Sequence, residues 1–118
     1  MPRSPQDVHK KLLGAHGERL VAAYLKKQKI KILERNFRTP FGEADIIALD
    51  GDEVVFVEVK TREGNSFGAP KDAVTEKKQE TYRKIALFYG LNHGGEPNAR
   101  FDVAEVEGKS VNYIKNAF

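Results

Sequence analysis

Three side chains that can do chemistry fall in two β-rich runs in the middle of the sequence. Asp45 lies in the first run, Ala44 to Leu49, and Glu58 and Lys60 end the second run, Val54 to Lys60. Glu and Lys seldom interrupt a Val/Phe strand without a polar requirement. Because like charges on a partly buried sheet are destabilising unless they are paired or ligated, the two carboxylates require a counterion. The pattern therefore predicts a cation site.

The acidic, glycine-containing turn between the two runs predicts a β-hairpin. A loop of Gly51-Asp52 sets Asp45 opposite Glu58, whereas a loop of Asp50-Gly51 sets Asp45 opposite Phe56. The sequence leaves the choice of register open. Since side chains alternate faces along a strand, both registers place four side chains on one face. These are Glu43, Asp45, Glu58 and Lys60.

The proposed cation site offers oxygen ligands. Asp45 and Glu58 supply carboxylates, and the backbone carbonyl of Val59 is a third ligand where its geometry permits. Such ligands suit Mg²⁺ or Mn²⁺ that keeps several waters. The ammonium of Lys60 could orient or deprotonate a water at the metal, or neutralise charge developing on an attacked phosphate. The alternative is that Lys60 only forms a salt bridge with Glu58 or Asp45.

Composition limits the classes that this chain can belong to. Its 118 residues predict one domain, residues 1–118, and 40% hydrophobic residues predict an ordinary globular core. The absence of cysteine excludes disulfides, zinc-thiolate sites, iron–sulfur clusters and thiol nucleophiles. No apolar run approaches the roughly 18 residues of a membrane span, and the N-terminus lacks a signal-peptide pattern. The expected location is the cytoplasm.

The net charge of +3 hides an uneven distribution. Residues 1–40 hold ten basic and three acidic side chains, whereas residues 41–60 hold one basic and six acidic side chains. A compact acidic block beside basic segments is typical of a polyanion-binding protein with a cation site. Solvated charged faces that cluster by chance are the alternative.

Periodicity predicts the elements that position these residues. In the first helix Leu13, Gly17, Leu20, Val21 and Tyr24 form one stripe, and Glu18 lies at its edge. The predicted order is α-β-β-β-α-β-β, an α/β or α+β sandwich with a central mixed sheet. The predicted helices are Gln6 to Gln28 and Asp72 to Tyr89, and Gly90 ends the second one. The outer strands are Lys31 to Arg38, Arg100 to Glu107 and Ser110 to Ile114. The connections are the turn Thr39 to Gly42 and the loops Gly64 to Pro70 and Asn92 to Pro97.

Taken in order, these residues resemble a known family. Glu58-Val59-Lys60 after Asp45 resembles the PD-(D/E)xK motif of the restriction-endonuclease-like fold, and Glu18 is similar to a helical glutamate of archaeal Holliday-junction resolvases. More closely, nearly the whole chain resembles the YraN-like family of small bacterial predicted endonucleases. The segments that carry this resemblance are Gly17-Glu18, Arg35 to Arg38, Gly42 to Ala48, Val55 to Arg62 and Thr75 to Lys78. Ala44 departs from the motif, which has proline there.

The resemblance implies a restriction-endonuclease-like α/β fold and a Mg²⁺- or Mn²⁺-dependent endonuclease, with DNA as the expected substrate. By position, Asp45 and Glu58 would be metal ligands and Lys60 the catalytic lysine, and Glu18 would complete or flank the site. Glu43 would be a further metal-site carboxylate or a surface residue. The candidate phosphate contacts are Arg38, Arg62, Lys77 and Lys78.

A second function class fits the same residues. The chain could be a non-catalytic nucleic-acid-binding protein or scaffold that keeps the nuclease fold. This alternative predicts binding that is sensitive to salt and no turnover of any substrate. The small size leaves little room for a substrate-recognition domain. A homodimer would supply more surface, since two-fold symmetry suits duplex substrates.

Overall fold

A computed structural model of the chain describes residues 4–62 and 74–118. Its element order is the predicted α-β-β-β-α-β-β. The two helices are α1 (Pro5–Lys27) and α2 (Glu76–Leu91), and the strands are β1 (Lys31–Thr39), β2 (Gly42–Asp50), β3 (Glu53–Arg62), β4 (Ala99–Glu107) and β5 (Ser110–Ile114). Over the described residues, neither helix is long and apolar enough to cross a membrane.

The five strands form one mixed sheet in the order β1-β2-β3-β4-β5. Neighbouring strands are antiparallel except β3 and β4, which are parallel because α2 lies between them in the chain. The mixed sheet with packed helices confirms the α/β prediction. β3 is therefore central, with the candidate residues Glu58 and Lys60 near its end.

Each face of the sheet carries one helix and one hydrophobic core. On the first face, Val21 and Leu25 of α1 pack on alternating strand residues such as Val55 and Val57. On the second face, Tyr82 and Ile85 of α2 pack on the intervening residues of the same strands. The first-face core confirms the predicted apolar stripe of α1, since Gly17 and Val21 are buried and Leu13, Leu20 and Tyr24 are half-buried.

The ends of α2 differ from the prediction. The helix begins at Glu76 rather than Asp72, because Thr75 is its N-cap and accepts a hydrogen bond from the backbone N–H of Lys78. Asp72 and the predicted loop Gly64 to Pro70 lie outside the described residues. Gly90 does not end the helix, which continues to Leu91; its role is close packing, because a Cβ there would lie 2.5 Å from the carbonyl oxygen of Gly95.

The hairpin between β2 and β3 takes the first of the two predicted registers. Asp50 pairs with Glu53, and the ladder runs back to the pair Ile46 and Val57. A buried arginine of β4 secures the turn, since Arg100 forms ion pairs of 2.9 Å with Asp50 and 3.1 Å with Glu53. The turn is thus tied to the neighbouring strand, which fixes the register.

Candidate active site

The backbone pairing between β2 and β3 ends just before Asp45, which leaves an opening in the sheet at this residue. The β2–β3 ladder stops at Ile46 and Val57, and the next amide of β3 that faces β2, that of Val59, donates a 2.8 Å hydrogen bond to Asp45 Oδ2. A side-chain carboxylate therefore takes the place of a backbone acceptor. The regular alternation also breaks here, because Ala44 packs in the α2-side core and Ile46 in the α1-side core. Two residues of equal parity thus lie on opposite faces of β2.

The carboxyl groups of Asp45 and Glu58 meet at this opening and are hydrogen-bonded to each other. Burial, this hydrogen bond and the charge of Glu58 raise the pKa of Asp45 from 3.8 to about 8, in that order of size. Glu58 is 7% exposed. Near neutral pH and without a metal, the two carboxyl groups share one proton, and a bound cation would compete with that proton.

The cation that contacts this pair comes from α2. Lys78 Nζ lies 3.2 Å from Glu58 Oε2, although the lysine side chain remains 44% exposed. The sequence suggested Lys60 as the salt-bridge partner and Lys78 as a phosphate contact. A signal was present, because Lys78 shares the apolar face of α2 with Tyr82 at a spacing of four residues. A lysine in an apolar stripe indicates a partner at the edge of the core.

Tyr82 is a second residue of α2 that reaches the opening. Its fully buried side chain packs in the core, and its hydroxyl also donates a 3.4 Å hydrogen bond to the carbonyl oxygen of Val57. Burial and the negative charges of Glu58 and Asp45 raise the pKa of this hydroxyl. Tyr82 therefore remains a neutral hydrogen-bond donor beside the carboxyl pair.

Glu18 approaches from the opposite face of the sheet. α1 crosses β3 so closely that a Cβ at Gly17 would overlap the hydroxyl oxygen of Thr61. The next residue, Glu18, is half-buried and lines a surface groove together with Asn36 of β1, and burial is the main reason that its pKa is raised. The charge of Glu18 in turn raises the pKa of Asp45. Glu18 is thus held within electrostatic range of the carboxyl pair.

Asn36 has an unusual backbone for a strand residue, with φ of 53°. It lies between the β1–β2 pairs Arg35–Ile46 and Phe37–Ala44, and so stands opposite Asp45. Asparagine tolerates this left-handed conformation better than most residues. The irregularities of both strands therefore coincide at the position where Asp45 leaves the ladder.

The position of Glu43 shows that one prediction was wrong, namely that Glu43, Asp45, Glu58 and Lys60 share one face of the sheet. Glu43 lines a surface groove together with Lys10, Glu18 and Asn36, on the α1 side, and lies 3.4 Å from Arg38. Glu58 instead contacts Lys78 of α2. The change of face at Asp45 accounts for this separation, because strict alternation would have kept Glu43 with Glu58.

Lys60 is exposed and lines a groove between the start of α1 and the end of β3, with Gln6, His9 and Lys10 among its neighbours. Among residues 4–62 and 74–118, neither Asp45 nor Glu58 forms an ion pair with it. The side chain of Lys60 is therefore open to solvent. Its catalytic role stays a prediction.

The remaining candidate phosphate contacts differ in environment. Arg62 forms a 2.7 Å ion pair with Glu105, and both side chains are largely buried. Lys77 is exposed at the start of α2, and the side chain of Arg38 is 84% exposed. Arg38 and Lys77 can reach a nucleic acid without losing a buried partner, whereas Arg62 would have to leave one.

The residues present fit a metal that keeps much of its water shell. In the described part of the chain, no three His, Cys, Asp or Glu side chains are close enough together to form a metal cage. Two adjacent carboxylates, those of Asp45 and Glu58, match the way Mg²⁺ is bound in sites where waters and substrate phosphates complete the coordination. Val59, whose backbone N–H donates to Asp45 Oδ2, is the residue whose carbonyl would supply a further oxygen.

Comparison with known proteins identifies the family. The model of the uncharacterised protein family UPF0102 matches residues 17–106. The chain belongs to this family. UPF0102 comprises the YraN-like proteins, so the resemblance seen in the sequence is confirmed.

UPF0102 proteins from distant bacteria are similar to this chain over most of their length. A UPF0102 protein of Thermodesulfovibrio yellowstonii is 47% identical over 106 residues, covering 90% of this chain and 95% of the relative. That of Geobacter sulfurreducens is 44% identical and covers 100% and 97%, respectively. A UPF0102 protein of Rhodococcus jostii is 40% identical over 93% of this chain and 98% of its own. The part matched by the family model includes Glu18, Asp45, Glu58 and Lys78.

Proposed function

We propose that this UPF0102 protein is a metal-dependent endonuclease that hydrolyses phosphodiester bonds in nucleic acid, with DNA as its substrate. The observation that carries the proposal is the hydrogen-bonded pair Asp45 and Glu58 at the opening between β2 and β3. A buried pair of like carboxyl groups is unfavourable for stability unless a cation or a proton compensates it. Such pairs are typical of functional sites.

Asp45, Glu58 and the carbonyl of Val59 would hold Mg²⁺ or Mn²⁺. When bound, such an ion supplies an activated water and stabilises negative charge on the attacked phosphate. The protein keeps the two carboxylates in place through the sheet: Val59 N–H fixes Asp45, and Glu58 is anchored in the most central strand. Tyr82 of α2 is fully buried beside the carboxyl pair, and its hydroxyl donates to the carbonyl oxygen of Val57, the residue before Glu58.

The phosphate backbone would bind on the exposed basic residues around this opening. Lys60 and Lys10 line the groove beside the end of β3, and Arg38 and Lys77 are exposed at two other sides. Exposed lysines and arginines bind phosphates through charge and release of counterions, which makes binding strongly dependent on salt. Lys60, two residues after Glu58 on the same strand, is the group best placed to stabilise a reacting phosphate.

The test is a substrate panel with purified protein and Mg²⁺ or Mn²⁺. Duplex, single-stranded, flap and four-way-junction DNA and single-stranded RNA are incubated with the wild type, Asp45→Ala and Lys60→Ala. Matched controls are Asp52→Ala and Lys109→Ala, which remove exposed charges in turns. We expect cleavage by the wild type and both controls and a loss of at least 100-fold, on the order of one lost electrostatic contact in the transition state, in the two site variants. Cleavage that is equal in all five proteins would contradict the proposal.

A non-catalytic nucleic-acid-binding protein is the second candidate function. It is favoured by the ion pair of Lys78 with Glu58, which gives the more buried carboxylate of the Asp45–Glu58 pair a partner without any metal. This function predicts binding that weakens steeply with salt and no cleavage of any substrate in the panel. Binding measured at two salt concentrations alongside the panel separates the two functions.

A further inference from the structure

We propose that Lys78 is an internal counter-ion of the carboxyl pair, and that a divalent cation binds by displacing its ammonium group from Glu58. The inference rests on the proposed metal site and adds a competitor that belongs to the protein itself. Lys78 Nζ lies 3.2 Å from Glu58 Oε2, within contact distance of an oxygen that the metal would use. The ammonium and the metal therefore compete for one carboxylate.

The exposure of the two partners shows which of them can leave. The Glu58 side chain is 9% exposed and is fixed in β3, whereas the Lys78 side chain is 44% exposed. An ammonium on a flexible stem that already faces solvent regains hydration when it leaves. A buried carboxylate left without a partner is costly, so the exchange requires an incoming cation. Displacement of Lys78 and entry of the metal are thus one coupled event.

The start of α2 holds the competing group in place. Thr75 caps the helix by accepting a hydrogen bond from the backbone N–H of Lys78, and Gln79 Nε2 donates to the carbonyl oxygen of Val74. Tyr82, one turn later, is fully buried. The backbone of Lys78 is therefore anchored on both sides, and only its side chain needs to move when a cation arrives.

Other cations of the described residues do not take this place. Lys60 makes no ion pair with Glu58 in residues 4–62 and 74–118, and Arg62 pairs with Glu105. Lys77 is adjacent in sequence and exposed, but it points along a different helical direction, since neighbouring residues of a helix are about 100° apart. Lys77 is therefore a matched control for the charge of Lys78.

The sign of the effect follows from the charges. Removing the ammonium that lies 3.2 Å from Glu58 Oε2 frees this carboxylate oxygen and removes a positive charge that repels an incoming divalent cation. We expect Lys78→Met to bind Mn²⁺ roughly 3- to 10-fold more tightly than the wild type, the range for partly solvated charges.

The experiment is calorimetric titration of Mn²⁺ into metal-free, nucleic-acid-free protein at pH 8. The variants are Lys78→Met, Lys78→Gln as a second neutral form, Lys78→Arg, which keeps the charge, and the control Lys77→Met. Tighter binding in both neutral forms, with wild-type affinity in Lys77→Met and no tightening in Lys78→Arg, supports the inference. Thermal unfolding of each metal-free variant verifies that it is folded.

Two results would overturn the inference and are distinguishable. If the wild type binds Mn²⁺ and the neutral Lys78 variants bind it equally or more weakly, Lys78 is not a competitor, and the proposed metal site still stands. If the wild type binds no Mn²⁺ and Asp45→Ala behaves identically, both the metal site and the displacement of Lys78 are wrong.

Discussion

The backbone amide of Val59 is hydrogen-bonded to the side chain of Asp45 and not to the backbone of β2. This single replacement ends the β2–β3 ladder and turns the carboxylate into part of the sheet. The carboxylate of Asp45 therefore has two roles: it holds the backbone of Val59, and it is a proposed metal ligand. Substitutions of Asp45 are therefore expected to change the stability of the fold as well as the chemistry proposed for the site.

The first prediction concerns the pH dependence of stability. The pKa of Asp45 is about 8 in the folded protein, against 3.8 ordinarily, so between these values the folded chain holds a proton that the unfolded chain has lost. The contribution of Asp45 to the stability of the metal-free protein is therefore fully present below about pH 4 and is lost as the pH rises toward 8. Asp45→Asn should flatten this dependence.

The measurement is the urea midpoint at pH 5 and pH 8 with a chelator present. Asp52→Asn, in the exposed turn, is the control and should retain the slope of the wild type. Addition of Mg²⁺ at pH 8 should restore part of the lost stability of the wild type but not of Asp45→Asn. Equal pH slopes in wild type and Asp45→Asn would contradict the protonated pair.

The second prediction concerns the crossing of α1 over β3. Gly17→Ala places a methyl group on the Thr61 hydroxyl and should destabilise the fold by about 1–3 kcal/mol, the usual cost of overpacking. Gly14→Ala, one turn earlier, meets nothing within 4 Å and should instead stabilise the helix by about 0.5–1 kcal/mol. Chemical denaturation of both variants measures whether the free energy of unfolding falls in Gly17→Ala and rises in Gly14→Ala. Two alanine substitutions with the same effect would show that the helix does not rest on Thr61.

The third prediction concerns Asn36. Asn36→Gly keeps the backbone conformation of φ 53° and removes the side-chain amide that lowers the pKa of Glu18, whereas Asn36→Ala loses both the conformation and the amide. The free energy of unfolding of Asn36→Ala should therefore be about 1 kcal/mol lower than that of Asn36→Gly, because a residue with a Cβ is disfavoured in the left-handed conformation. If Glu18 serves the site, both variants should lose metal-dependent cleavage to a similar degree. Full activity in Asn36→Gly would remove the positioning role of this contact.

The fourth prediction concerns the buried acid of β4. Asp102 is fully buried and accepts hydrogen bonds from Arg100, from the Tyr113 hydroxyl at 2.6 Å and from the Asn116 backbone at 2.8 Å. Asp102→Ala leaves Arg100 buried without its main partner and should cost about 3–5 kcal/mol. Tyr113→Phe should cost only about 1–2 kcal/mol. Denaturant midpoints test the ranking, and a tolerated Asp102→Ala would contradict it.

Sequence patterns predicted the element order and the residues that meet at the opening because both follow from local periodicity. Asp45 and Glu58 were found through the alternation of two strands and a short turn. The same rule misplaced Glu43, since alternation assumes an unbroken ladder and the sequence carries no direct sign that Asp45 replaces a backbone acceptor. Asn36 was a hint, because asparagine is disfavoured in strands but accepted in the left-handed region.

The partner of Glu58 was missed for a different reason. Pairing of Lys78 with Glu58 depends on where α2 starts and how it lies on the sheet, which are tertiary features. A helix start at Asp72 gave no reason to place Lys78 in the capped first turn beside β3. Burial of Arg62 with Glu105 was likewise beyond sequence reasoning, because these two residues lie 43 positions apart and meet only through the parallel pairing of β3 with β4.

The opening at Asp45 also leaves the tip of the β1–β2 hairpin without support from β3. β2 pairs with β3 only from Ile46 to Asp50, so the part of the hairpin that precedes Asp45 is held by β1 and by α2. Ala44 packs in the core beside Tyr82 and Ile85, and the ring of Phe41 at the tip lies against that of Phe88. A polymer that docks on the tip would therefore be felt at the carboxyl pair through α2, the helix that also carries Lys78.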